Sequence, residues 1–279
     1  MNITTSTLEL FGLHEASRVI NFNYLLQTIM CSMIFFATDN YSRKIAKLFG
    51  VSKQYDQLGE KAKIEWNQRT VSMLHAIIVL PLTFKIIYDY HGQDLIYYYN
   101  DLIYYTLLIS GGYFIWDMKV SFTRPDIVGI PMCIHALVGF FGTQYVNTLH
   151  APNVFAAFTA SLLFYEISTI PLNLKGFIQV VNPKSPYYER CLLVFAVSFL
   201  FSRCVWGVYV TLEFLYNLYF HYTELPVDKI VVLVGSAILS MCLNLNWGYL
   251  LIRKMKQKVT TSKRVNIIAA ESPKLVKTN

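Results

Sequence analysis

A carboxylate and an imidazole set inside long apolar runs are the residues of this chain with chemistry to offer. Asp117 and His135 lie within residues 111–142, GGYFIWDMKVSFTRPDIVGIPMCIHALVGFFG, on either side of a polar turn at Arg124, Pro125 and Asp126. A charged group near the centre of a membrane-spanning helix costs about 2.5 to 3.5 kcal/mol, so something inside the protein must compensate it. His75, Glu166, Arg203 and Asn244 are placed in the same way in other apolar runs. Intramembrane ionisable groups are functional candidates by default, although each can instead hold two helices together through a hydrogen bond. An imidazole oriented by a carboxylate can act as a general base, and the same groups can hydrogen-bond a polar head group. His135 and Glu166 are therefore the catalytic candidates, and His75, Asp117, His135, Glu166 and Asn244 the head-group candidates.

The composition says what kind of protein positions these groups. Of 279 residues, 54% are hydrophobic and 15% charged, against about 25% charged in soluble domains, and mean hydropathy is +0.40. An all-α membrane protein follows. The formal charge of +7 does not indicate nucleic acid, because the basic residues fall between apolar runs and no groove-reading motif accompanies them. Cys31, Cys133, Cys191, Cys204 and Cys242 sit in apolar segments without CxxC spacing, so neither a disulfide framework nor a zinc site is indicated. His75 and His135 are the histidines well inside apolar runs, too few to complete a tetrahedral metal set without carboxylate help, and no metal or cofactor is expected.

Seven spans are predicted, over residues 20–38, 71–90, 102–122, 127–148, 153–174, 190–213 and 229–252, each near the length that crosses the hydrocarbon core. Lys and Arg crowd the connections at 39–70 and 175–190 and the stretch after 252, with Arg124 between the third and fourth spans, and are absent from the alternate loops. That bias places the amino terminus in the lumen and the carboxyl terminus in the cytosol. The organisation expected is a short luminal segment (1–19) without a cleavable signal, a first span with a basic cytosolic loop (20–59), a membrane domain (60–255) and a basic, disordered cytosolic tail (256–279). The loop at 43–69 reads as solvated with a helical piece, or as a helix lying on the membrane surface. Tyr97, Tyr98, Tyr99, Tyr104 and Tyr105 read as interfacial anchors.

A rise of 1.5 Å per residue converts position into depth. His75 and Asp117 both come out roughly 7 Å from the cytosolic end, close enough in height to pair. His135, Glu166 and Asn244 come out near ~12 Å and can share one polar cluster. Arg203 comes out near ~20 Å, where Glu213 or outward snorkelling would have to satisfy it. Pro81, Pro131 and Pro171 interrupt apolar runs, and Gly111, Gly112, Gly139 and Gly142 permit close helix approach. A helical bundle with an internal cavity open toward the cytosolic leaflet fits these features.

Several of these residues also carry a resemblance. Trp66-Asn67-Gln68-Arg69-Thr70-Val71-Ser72 with His75, then Gly112-Tyr113-Phe114 with Asp117, His135, Glu166-Ile167-Ser168-Thr169 with Pro171 and Asn173, and Leu243-Asn244 with Trp247 follow one another in order. In that order and spacing the chain resembles the TLC-domain family, which includes ceramide synthases and the translocation-associated membrane protein, and its length is similar to that of the small fungal members. The resemblance implies a protein of the endoplasmic reticulum or a related endomembrane that acts on, senses or moves lipid. In the ceramide synthase branch it ties N-acyl transfer from acyl-CoA to two adjacent histidines in the span matching 127–148. Here His135 stands between Ile134 and Ala136, and residues 147–152 read NTLHAP without that branch's acidic continuation, which weighs against ceramide synthesis.

Three readings compete. A lipid-homeostasis protein would hold a membrane lipid in the bundle with its head group at the polar cluster. An acyltransferase would use His135 as base with Glu166 orienting it. A membrane chaperone or interaction protein would turn its polar groups outward toward a client membrane protein or a second copy. The direction in which those side chains point separates them.

Overall fold

The computed structural model describes residues 21–90, 93, 96–148, 155–225 and 227–271. The expected luminal segment 1–19, residues 149–154 around the start of the fifth predicted span, and the last eight residues of the tail lie outside the described residues. Among the described residues the chain is helical, with no strand. A helix occupies each of the seven predicted positions: α1 (Phe22–Asn40), α4 (Glu60–Asp89), α5 (Asp101–Thr123), α7 (Ile130–Thr148), α8 (Ala156–Leu162) continued by α9 (Thr169–Val181), α10 (Pro186–Phe199) continued by α11 (Gly207–His221), and α12 (Val227–Glu271). Short helices α2 (Ser42–Leu48), α3 (Ser52–Asp56) and α6 (Pro125–Val128) fill the connections. Three stretches are long and apolar enough to cross a membrane: Glu60–Asp89, Pro186–Glu224 and Val227–Gln257.

Local chemistry sets the ends of these helices. Asn21 and Asn100 accept the backbone N–H of Tyr24 and Ile103 at 3.0 and 2.9 Å, which satisfies donors the first turn leaves open. Ser185 followed by Pro186 starts α10 in the same manner, with Pro at a position whose missing N–H costs nothing. Gly129 adopts φ +84 between α6 and α7, a left-handed corner that suits a residue without Cβ. Pro131 and Pro171 are the second residue of α7 and the third of α9, so of the three prolines expected to interrupt spans only Pro81 lies deep within an α-helix. The chain before Pro171 tightens into a 3-10 turn over Leu163–Ser168, since a proline cannot donate to the carbonyl four residues back.

The basic stretch after α1 is more ordered than a solvated loop. Arg43 on α2 donates twice to the Asp56 carboxylate at the end of α3, at 2.7 and 2.8 Å, and these hydrogen bonds hold that exposed carboxyl below the usual carboxylate range. Ala46, Tyr55 and Trp66 pack with Phe177 and so seat the pair of short helices on α4 and α9. Leu48 and Phe49 stay exposed beside Lys44 and Lys47, an arrangement suited to a membrane surface. At the other end of the chain α12 continues to Glu271 through residues expected to be disordered; Lys, Met and Gln at 254–258 are good helix formers that extend a helix already nucleated.

Two apolar clusters hold the bundle. One joins Ile86, Ile103, Leu107, Val146, Phe158 and Phe214 toward the predicted luminal side, and the other joins Phe35, Val71, Tyr113, Phe114 and Trp116 around α1, α4 and α5. The glycines on α5 decide how close α1 comes. A Cβ at Gly112 would lie 2.9 Å from the Ser32 nitrogen and 3.0 Å from the Cys31 carbonyl carbon, so backbone faces backbone there, and one at Gly111 would collide with Gln144. A Cβ at Gly139 would strike the Phe114 ring, whereas one at Gly142 meets nothing within 4 Å.

Gly112→Leu is expected to lower stability by about 1 to 3 kcal/mol through overpacking, and Gly142→Ala to leave it unchanged. Thermal unfolding in detergent, followed by tryptophan fluorescence, checks this; equal midpoints for Gly112→Leu and the parent chain would refute the contact.

Candidate functional site

Five segments face one common interior. On α5, Ser110, Tyr113 and Asp117 recur at helical spacing on one face, as do Gln68, Ser72 and His75 on α4, and Asn244, Trp247, Leu250, Leu251 and Lys254 on α12. Glu166 comes from the 3-10 turn before α9. Arg203 comes from a π-helical stretch, Leu200–Trp206, that joins α10 to α11. Such wide turns re-aim side chains and recur at functional sites.

Two hydrogen-bonded groups organise the interior. His75 is fully buried, its Nε2 3.2 Å from the Ser110 hydroxyl and its Nδ1 3.9 Å from Glu166 Oε2, with its ring stacked on Tyr113 at 4.0 Å. Arg203 is also buried; its Nε–H donates to Ser168 Oγ at 3.1 Å and its Nη1 to Asn244 Oδ1 at 3.2 Å. The guanidinium lies over the rings of Tyr165 and Phe199 and within electrostatic reach of Glu166. Asn173 Nδ2 donates to Ser72 Oγ at 2.8 Å and ties α9 to α4.

A cavity of about 480 Å³ lies between α4, α5, α7, α9, α10 and α12; Glu166, Arg203 and Asn173 border it, whereas His75 and Asn244 lie behind its wall and reach it only through Glu166 and Arg203. Asp117, His135, Glu166 and Arg203 are among its polar lining, and Met132, Leu172, Phe195, Phe199, Trp247 and Leu250 among its apolar lining. Asp117 Oδ2 and Glu166 Oε2 are buried and have no hydrogen-bond partner among the described residues. His135 is half-buried, its ring edge-on to Phe114 and Trp247 at 5.9 and 5.8 Å.

The expected pairings fall differently from the depth argument. Glu166, not Asp117, is the carboxylate beside His75. His135 and Glu166 border the same cavity but are not hydrogen-bonded to each other, so the base and orienter contact of acyl transfer is not formed. Asn244 joins Arg203. Arg203 turns inward to Ser168 and Asn244 and neither snorkels nor pairs with Glu213, whose Oε2 is buried without a hydrogen bond. Arg203, Tyr113, Ser168 and Trp247 are site residues that the sequence does not single out as catalytic or head-group candidates; Tyr113, Ser168 and Trp247 stand in the motifs quoted above, and Arg203 follows Phe195 and Phe199 along one helix face. Among the described residues no group of three His, Cys, Asp or Glu side chains could hold a metal ion.

Comparison with known proteins matches the TLC domain to residues 65–253. The chain is 42% identical over 238 residues to TLC domain-containing protein 4 C of Dictyostelium discoideum, covering 84% of this chain and 88% of that protein. It is 26% identical over 211 residues to Topoisomerase I damage affected protein 4 of Saccharomyces cerevisiae, covering 72% and 74% of the two chains. An uncharacterized TLC domain-containing protein of Schizosaccharomyces pombe is 21% identical over 241 residues, covering 86% of this chain and 81% of its own. No solved structure matches.

Removing Arg203 leaves the buried Glu166 carboxylate without a compensating cation, so Arg203→Leu is expected to destabilise by about 3 to 5 kcal/mol. Adding Glu166→Gln should recover part of that loss. Unfolding midpoints of the single and double variants measure the coupling, and strictly additive effects would contradict it.

Proposed function

The chain belongs to the TLC-domain family and is an integral membrane protein, and we propose that it serves lipid homeostasis in the endoplasmic reticulum or a related endomembrane by binding a lipid head group in the cavity beside His135. On this reading it crosses the membrane seven times, with the amino terminus in the lumen and the carboxyl terminus in the cytosol. The basic connections that face one side support that topology.

One observation carries the reading: two buried carboxylate oxygens, on Asp117 and Glu166, border a cavity without hydrogen-bond partners. Buried polar groups are otherwise nearly always paired. Hydroxyl or ammonium donors on a head group would satisfy them, with Asn244 holding Arg203 in place and His75 steadying Glu166. The apolar wall of Phe195, Phe199, Trp247 and Leu250 suits an attached chain. These polar groups point inward, which favours a bound ligand over an outward contact with a client or a second copy. Acyl transfer with His135 as base is the second reading. It has an imidazole on the cavity wall in its favour, and it lacks the orienting contact from Glu166.

Lipid extracted from protein purified in mild detergent is expected to contain one class above the detergent background. His135→Ala and Asp117→Asn should each reduce it several-fold, as read by mass spectrometry. Purified protein carrying no lipid above background would end this reading.

A further inference from the structure

The cavity has a second chemical zone at its cytosolic end that the polar chamber does not explain. Arg69 and Lys254 border it there, and Lys175, just past the fifth predicted span, lies within electrostatic reach of both. Burial and the neighbouring charges of Arg69 and Lys254 push the Lys175 ammonium below its usual range. Arg69 and Lys254 thus border one end of the cavity with Lys175 behind them, and Glu65, four residues before Arg69, is the carboxylate that borders it beside them.

Arg69 is set in place by the fold. Its guanidinium packs against Gly176, where a Cβ would come within 2.5 Å of its Cζ and Nε. Among the described residues no acceptor is hydrogen-bonded to its guanidinium, although Arg43 and Arg124 on the same side of the bundle both have carboxylate partners. A planar fork of donors held in position and left without an acceptor matches the paired oxygens of a phosphate. Arg69 and Lys254 stand two residues outside the second and seventh predicted spans, at head-group height.

We propose that Arg69, Lys175 and Lys254 form a phosphate-recognition site at the mouth of the cavity, so that the ligand is a phosphate-bearing amphiphile whose remaining polar atoms reach the chamber of Asp117 and Glu166. This rests on the lipid-binding reading above and adds the class of ligand. The phosphate can belong to a membrane lipid or to a soluble phosphate ester that carries a chain.

The test titrates the full-length protein in neutral detergent with dihexanoyl phosphatidic acid and with dihexanoylglycerol, following quenching of the tryptophans, of which Trp116 and Trp247 border the cavity. The phosphate-bearing probe is expected to bind about tenfold more tightly, a preference that weakens with salt. Arg69→Gln and Lys254→Gln should each cut that preference several-fold while affinity for dihexanoylglycerol holds. Lys254 is exposed, so its variant carries the test if Arg69→Gln does not fold. Inorganic pyrophosphate that competes with dihexanoyl phosphatidic acid assigns a soluble source, and failure to compete assigns a lipid head group; either outcome upholds the phosphate site. Equal affinity for the two probes, or an undiminished preference in both variants, overturns the phosphate site and leaves lipid binding standing. Binding of neither probe overturns both.

Discussion

A guanidinium buried in a membrane-spanning helix must be met by the protein itself, and the arrangement around Arg203 is how this bundle meets it. Ser168 and Asn244 accept its hydrogen bonds, Tyr165 and Phe199 offer ring faces, and Glu166 supplies opposite charge. Those partners come from three separate parts of the chain. The cation thereby fixes how the 3-10 turn, α10 and α12 are rotated relative to one another, because an unpaired charge in that setting costs several kcal/mol. Glu166 in turn faces His75, which Ser110 and Tyr113 hold from α5. The polar interior is a linked set.

Irregular backbone makes this possible. A straight α-helix through 186–221 or 156–181 would spread its polar groups around the axis; the π stretch at Leu200–Trp206 and the 3-10 turn at Leu163–Ser168 gather Arg203 and Glu166 on the inner side. Elsewhere the bundle is packed closely, with Gly112 against the backbone of α1 and Tyr165 against Gly207.

Much of this was legible in the sequence. Hydropathy locates a helix at every predicted span; of the three residues that equal depth groups together, His135 and Glu166 border one cavity and Asn244 lies behind Arg203. Depth is only one coordinate, however. Which groups touch depends on rotation about each helix axis, and for that reason Glu166 was matched with His135 when it faces His75. For Arg203 an even rise does not hold through the π turns at Leu200–Trp206, which turn its side chain inward toward Ser168 and Asn244. The order of α2 and α3 rests on a distant contact, Trp66 with Phe177, which local composition does not reveal. The 42% identity to a TLC domain-containing protein of Dictyostelium discoideum agrees with the motifs that carry the resemblance, and the broken histidine pair remains a feature of this chain.

On the proposed topology the polar chamber opens to the cytosol. Replacing Cys31, Cys133, Cys191, Cys204 and Cys242 and then placing one cysteine at a time at Met132, Thr169 or Leu251, which border the cavity, or at Val197 or Leu239, which face outward, allows a direct measurement. A membrane-impermeant thiol reagent added from the cytosolic side of sealed vesicles should modify the first set quickly and the second set little. Unreactive cysteines at all three cavity positions, in a protein that is folded and inserted, would contradict the chamber.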